Sequence, residues 1–465
     1  MNPPAGAADA TGARPPRLAE ILWGAALVSL AWVGVDPVAL ATGRDLGAGF
    51  QPSYLLLAGA ICAWIPFGSR GARAKVCRLA AWQWFALVGL VVALASGAGL
   101  FLAPPPGVAL SARMMRFVKQ IVQLIVMMSF MSFTIYWTRG AGRWARVRDL
   151  FGVGCAIQIA WGLTQAVTFG HAPGWFVAAE RIATSNPSIL SGSGELFLGG
   201  VFTGIPRVRG TVCEPLYLAN YALLALPVLL LPGSRRWQRA IACGAGVLLL
   251  LSWSRGAWLA AVVGVGVWAA LAARARCLPR PGRRWWALVV VLVVIAVTAA
   301  ALRPDLALLP GRRLLQVFNR ADWSNLTRFY SMQAAWRAWL LSPWLGVGWG
   351  QFGFHFPALA DPLGLQSQFS WPVVNNFPLA ILCETGLLGF GVLAAAGAWL
   401  ARASWRAVRT GAGSAAAGRV ALLAAGTAAV WSQLLTFSQY NLPHIWVAPG
   451  LLLAALAEAR EDRHG

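Results

Sequence analysis

The chain has 465 residues, 58% of them hydrophobic and 11% charged, and carries a net charge of +23. Soluble proteins carry about 25% charged residues, and a water-facing surface this poor in charge would aggregate. The composition therefore excludes a soluble fold and points to lipid as the solvent. Nucleic-acid binding is set aside too, because the arginines punctuate apolar runs and form no continuous basic face.

Residues 1–18 are rich in Ala, Gly and Pro and read as a disordered cytoplasmic tail. The apolar segment that follows lacks a small-residue cleavage site, so it reads as a retained helix and not a signal peptide. A membrane span needs about 20 apolar residues. Candidates run over 19–38, 51–67, 79–102, 117–137, 148–170, 212–232, 239–253, 256–273, 285–302, 376–400, 419–437 and 442–458. Residues 459–465 form a second tail. With twelve spans, five arginine-rich loops fall on the side of both termini: 70–78, 139–148, 235–239, 274–284 and 402–419. Loops of this kind mark the cytoplasmic side. Arg113, Arg116 and Lys119 depart from the pattern and fall on the outer side.

Two outer segments exceed ordinary connections, residues 171–211 and 303–375, and loops this long are usually functional or disordered. The second is dense in aromatic residues, among them Trp323, Trp336, Trp344, Trp349 and Trp371, which predicts a folded cap at the membrane interface. Within it, residues 323–341 are expected to form an amphipathic helix carrying Arg328 and Arg337. The seven cysteines form no CxxC and no Cys/His cluster, so they read as small buried hydrophobes and not as a disulfide framework or zinc site.

Four constellations could carry chemistry. In "RVRGTVCEPLYLANY", Arg207 and Arg209 lie just outside the sixth span and Glu214 in its first turn. Glu214 either compensates the helix dipole or is a carboxylate poised at the surface near two cations. In "LSWSRGAWLAA", Arg255 stands at a tight outward turn, as a snorkelling arginine or as a fork for a phosphate or diphosphate. The long loop adds Arg328 and the glycines of 346–350. In "NNFPLAILCETGLLGFG", Asn375 or Asn376 would cap the tenth span, and Glu384 is an intramembrane carboxylate that either pairs internally or marks a site. There is no Walker motif, HExxH, GxSxG or metal-ligand cluster, and no cofactor or metal is expected.

The order of these motifs carries a resemblance. An arginine precedes Gly210-Thr211-x-x-x-Pro215; "SRGAW" follows; then comes an external loop with "R…W…PWLGVGxGxF" and a helix with "NxxLxxxxExGxxG". Over about residues 203–392 the chain resembles the O-antigen ligase and O-antigen polymerase superfamily of bacterial membrane glycosyltransferases. The resemblance implies an all-α polytopic membrane protein of about 12 transmembrane helices, with spans 1–9 over 19–302, a large periplasmic loop over 303–375 and spans 10–12 over 376–458. It implies a metal-independent enzyme of the inner membrane that takes a glycan from an undecaprenyl-diphosphate carrier. The implied acceptor is another carrier-linked glycan, lipid A-core, or a protein hydroxyl. The lipid bilayer and a chain-length regulator are the remaining implied partners, and no nucleic acid is. Diphosphate-binding roles carry over onto Arg207 or Arg209 and onto Arg255, while Arg328 matches the arginine at the start of the loop helix.

One departure matters. Ligases and oligosaccharyltransferases of this kind typically have His-Asn where this chain has Asn375-Asn376. Asn can orient an acceptor hydroxyl but cannot take its proton. His355, Glu214 and, less centrally, His444 are the alternative bases. The departure favours an envelope polysaccharide polymerase over a ligase or oligosaccharyltransferase. A twelve-helix transporter is the alternative of another class, and it finds no support from an internal repeat.

Overall fold

The computed structural model describes residues 16–44, 49–71, 80–139, 142–168, 171–186, 201–202, 205–275, 311, 313, 315, 319, 323–360 and 371–461. Helices dominate them. The first eight are α1 Arg17–Val28, α2 Pro37–Thr42, α3 Pro52–Gly71, α4 Ala81–Ala95, α5 Gly99–Leu102, α6 Leu110–Thr138, α7 Arg143–Thr168 and α8 Gly174–Ala183. There follow α9 Pro215–Leu229, α10 Arg236–Leu251, α11 Arg255–Arg274, α12 Trp323–Leu341, α13 Phe352–Ala360, α14 Phe377–Thr410, α15 Ala415–Gln433 and α16 Pro443–Glu461. Val201–Phe202 and Ile205–Pro206 pair as a short antiparallel hairpin.

Most expected spans overlap a helix, but 19–38 does not hold as one: α1 ends at Val28 and α2 begins at Pro37, and 285–302 lies outside the described residues with the arginines of 276–284. The same holds for the tail before Pro16 and for residues 462–465, whereas α16 continues past the expected end at 458. Among the described residues six helices are long and apolar enough to cross a membrane: Ala81–Leu102, Leu110–Thr138, Arg143–Thr168, Arg255–Arg274, Phe377–Thr410 and Ala415–Gln433. The chain is a multi-pass membrane protein.

The most enclosed helices are α9, α15 and α16, which bury residues on every face. Small residues let them approach closely. A Cβ on Gly264 of α11 would lie 2.9 Å from the Ala429 Cβ of α15, and one on Gly450 would meet the Met131 carbonyl of α6 at 2.9 Å.

Charge sorts the two ends of the bundle. At one end Arg146 pairs with Glu20, Arg139 with Glu461 and Arg419 with Glu458. Gln238 Nε2 donates to Asp149 Oδ1 at 2.8 Å, and Gly413 N to the Ala275 carbonyl at 2.8 Å. At the other end begin α9, α11 and α14. There Phe377 N donates to the Leu434 carbonyl at 2.8 Å, and Val208 N to the Leu251 carbonyl at 3.1 Å.

Within residues 171–211 the described part includes a helix, α8, and a hairpin of two-residue strands. Helix α8 packs there because Phe176 and Ala183 find apolar cover. In the longer loop, α12 spans the expected 323–341, and α13 follows it. Ala334, Ala335 and Ala338 of α12 are buried, while Phe329, Trp336 and Trp344 stay exposed.

The glycine motifs on either side of this cap dock on one another. Val347 N donates to the Cys383 carbonyl at 2.9 Å, Gly348 N to that of Glu384 at 3.1 Å, and Leu387 N to that of Pro343 at 2.9 Å. Helix α14 breaks at Gly386 to allow this, with φ +66° and ψ −166°, a conformation open essentially to glycine alone. A Cβ there would sit 2.2 Å from the Trp344 carbonyl carbon. Gly386→Ala is therefore expected to cost about 1–3 kcal/mol in backbone strain, before any clash, and to reduce the yield of monodisperse protein in detergent. Gly391→Ala, where a Cβ meets open space, is expected to leave the yield unchanged.

Candidate active site

The segment 207–214 enters the bundle as an irregular strap, held by side chains of α7 and α8. Gln158 Oε1 accepts Thr211 N at 3.0 Å, and Gln165 Oε1 accepts Gly210 N at 2.9 Å. The Thr211 hydroxyl donates to the Ala31 carbonyl at 2.9 Å. Gly210, at φ +61°, supplies the turn. Pro215 occupies the first helical position of α9, so Glu214 is the residue before the helix and not part of its first turn, and its side chain makes no capping bond.

The strap separates its two arginines. Arg209, 1% exposed, turns inward and pairs with Glu180 of α8. Glu180 also accepts from Trp161 Nε1 at 2.7 Å and Gln165 Nε2 at 2.6 Å. Arg207 turns the other way, and its Nε donates to the Ser252 carbonyl at 3.2 Å in the α10–α11 turn.

That turn is strained. Trp253 is the one non-glycine residue with positive φ among those described, at +50°, an uncommon conformation for a bulky side chain. The turn carries straight into α11 at Arg255, which is buried (6% exposed) and so does not snorkel. Arg255 Nη2 donates to Asn325 Oδ1 on α12 at 3.3 Å, and Arg313 Nε donates to the Trp253 carbonyl at 3.4 Å. Asn325 and Arg328 lie three positions apart and share a face of α12.

Arg207, Arg255, Arg328 and Glu214 thus form one electrostatic group. Burial lowers the affinity of the Arg207 guanidinium for its proton; Glu214 raises it again, and Arg328 and Arg255 lower it. Burial pushes the Glu214 carboxyl above the usual carboxylate range, and the charges of Arg207 and Arg328 pull it back part of the way. Arg207 and Arg328 act on the one carboxylate, and Arg255 acts on Arg207, so the cations outnumber it. Such a site suits an anion with several oxygens, such as a phosphate or diphosphate, beside a carboxylate able to accept a proton.

Asn375 is tied to α12 through Ser331, one turn on from Arg328. The Ser331 hydroxyl accepts from Asn375 N and from its Nδ2, each at 3.2 Å, and donates to the Arg328 carbonyl at 2.9 Å. Asn376 is the helix cap: its Oδ1 accepts Leu379 N at 3.0 Å. His355, on α13, is 2% exposed, and burial together with Arg113 holds its pKa down at about 4. It is neutral at physiological pH and couples to Arg113, not to the arginine group. His444 is enclosed within the helices, its Nε2 2.9 Å from Asn220 Oδ1. Glu384 pairs internally, with Oε2 accepting Gly350 N at 2.9 Å and Oε1 accepting Phe352 N at 3.2 Å.

Sequence reasoning missed Glu180, Asn325 and Ser331. Asn325 alone left a usable signal, its spacing of three from Arg328. No curated protein matches the chain. Residues 240–394 match a family described as O-antigen ligase. The match takes in Arg255, Arg328, His355 and Asn375 and leaves Arg207, Arg209 and Glu214 outside it. Over these residues, a third of its length, the chain is similar to that family, as the motif order in the sequence implies.

Proposed function

We propose that the protein is an envelope polysaccharide polymerase, a metal-independent glycosyltransferase of the bacterial inner membrane. On this reading twelve spans place both termini in the cytoplasm, and residues 303–375 form a periplasmic cap. The observation that carries it is the linked set of Arg207 and Arg328 beside Glu214 and Arg255 beside Arg207 and Asn325, at the end of the bundle away from the ion pairs of Arg139, Arg146 and Arg419.

The reaction joins an acceptor sugar to a glycan held on undecaprenyl diphosphate. The acceptor hydroxyl attacks the anomeric carbon, a new C–O bond forms, and the bond to the diphosphate breaks. The departing diphosphate takes the electron pair, and the three guanidinium groups stabilise the charge that grows on it. Glu214 receives the hydroxyl proton; its raised proton affinity and its place among the cations suit it to that role. Asn375, fixed by Ser331, orients the acceptor.

The description of the matched family favours a second reading, transfer to lipid A-core by a ligase. A gel of surface polysaccharide from a deletion strain separates the two. Single repeat units on the core are expected. Bare core with accumulated carrier-linked polymer would establish the ligase and overturn the polymerase.

A further inference from the structure

A second site lies apart from the arginine group. A cavity of about 730 Å³ runs between α4 and α6 on one side and α14, α15 and α16 on the other. Its walls are apolar, with Phe85, Met128, Leu393 and Trp446 among them. Lining positions on α14 extend from Phe377 to Trp405. At a rise of about 1.5 Å per residue this is roughly 40 Å, the depth of a bilayer.

The cavity meets a smaller polar recess of about 70 Å³, and the two share Trp349, Phe377 and Ile381. The recess is headed by Arg116, whose guanidinium lies 4.2 Å over the Trp371 ring. Trp371 can lie there because residue 353 is glycine: a Cβ on Gly353 would fall 2.2 Å from its ring. Arg116 Nε is buried without a hydrogen-bond partner among the described residues. Glu384 also lines the recess; both its oxygens accept backbone amides, and it interacts electrostatically with Arg116. Arg113, three positions before Arg116, adds a further cation, so two cations are set against one carboxylate.

A long apolar groove under a cation fits an amphiphile with an anionic head. A phospholipid acyl chain covers one leaflet, about half of the roughly 30 Å hydrocarbon core. A groove through both leaflets matches a longer chain. We infer that this groove holds the chain of a second polyprenyl phosphate-linked molecule, with Arg116 stacked on Trp371 as its phosphate contact. A polymerase must hold two carrier-linked glycans at once, and this site would take the acceptor. The acceptor role rests on the polymerase reading; the lipid site does not.

The test is native mass spectrometry of the full chain with undecaprenyl phosphate. Wild type is expected to bind two molecules. Arg116→Ala, and Ala396→Trp, which fills the groove, are each expected to weaken one of them at least tenfold. Arg255→Ala is expected to weaken the other and leave the Arg116-dependent molecule in place. Binding by both Arg116→Ala and Ala396→Trp equal to wild type would overturn the site. So would displacement of the Arg116-dependent molecule by an equal concentration of phosphatidylglycerol, which would make this a phospholipid site. If Arg255→Ala cells make normal polymer while Arg116→Ala loses its lipid, the polymerase reading fails and the lipid site stands.

Discussion

Arg255→Ala is expected to abolish long polysaccharide chains while leaving folded protein at near wild-type amounts. Removing one preorganised donor to a developing anionic charge lowers turnover by about 10²–10³, or about 2.7–4 kcal/mol. Arg255 meets that description: it is buried, it begins α11, and Asn325 orients its guanidinium. Loss of the hydrogen bond to the neutral Asn325 carries a structural cost of about 1 kcal/mol. Arg255→Lys keeps the charge but not the planar fork, so it is expected to restore turnover only in part. Chain-length profiles on gels and turnover of carrier-linked glycan by purified protein check both variants. Normal chain lengths in Arg255→Ala cells would sink the role given to this residue.

Arg209→Ala is expected to fail in a different way. It leaves Glu180 buried with two neutral donors, Trp161 and Gln165, and no cation across from it in the Arg209–Glu180 pair. Breaking a buried pair from one side costs about 3–5 kcal/mol, which is enough to deplete folded protein in the membrane. Arg209→Ala combined with Glu180→Gln removes the buried charge as well and is expected to recover part of the loss. Fluorescence-detected gel filtration of tagged protein measures both. Full folding of Arg209→Ala together with loss of activity would instead place Arg209 among the catalytic cations.

Much of the bundle was legible because apolar runs of span length leave few alternatives in lipid. Arg139, Arg146, Arg235 and Arg419, all from the arginine-rich loops, pair with carboxylates at one end of the bundle. The α12 boundaries were legible for a similar reason, since one run of helix formers ends at Ser342-Pro343. Arg207 and Arg209 could not be told apart, because they stand two residues apart in an irregular strap. Which of them faces inward depends on Glu180, 29 positions away on a helix the loop composition concealed. Glu384 was legible as a buried carboxylate with an internal partner. Its partners, the amides of Gly350 and Phe352, were not, because a backbone amide leaves no mark in sequence. Arg116 stood out by being on the wrong side for its charge. Only the fold brings Trp371 and the groove to it.

The docking of residues 343–348 onto 383–387 also sets an order of assembly. The cap segment leaves the ribosome before the stretch of α14 that supplies its acceptor carbonyls. Until Gly386 has been synthesised and α14 has entered the bilayer, Val347 and Gly348 have nothing to donate to. The turn at 343–348 is thus made first and shaped second, by the helix that follows it.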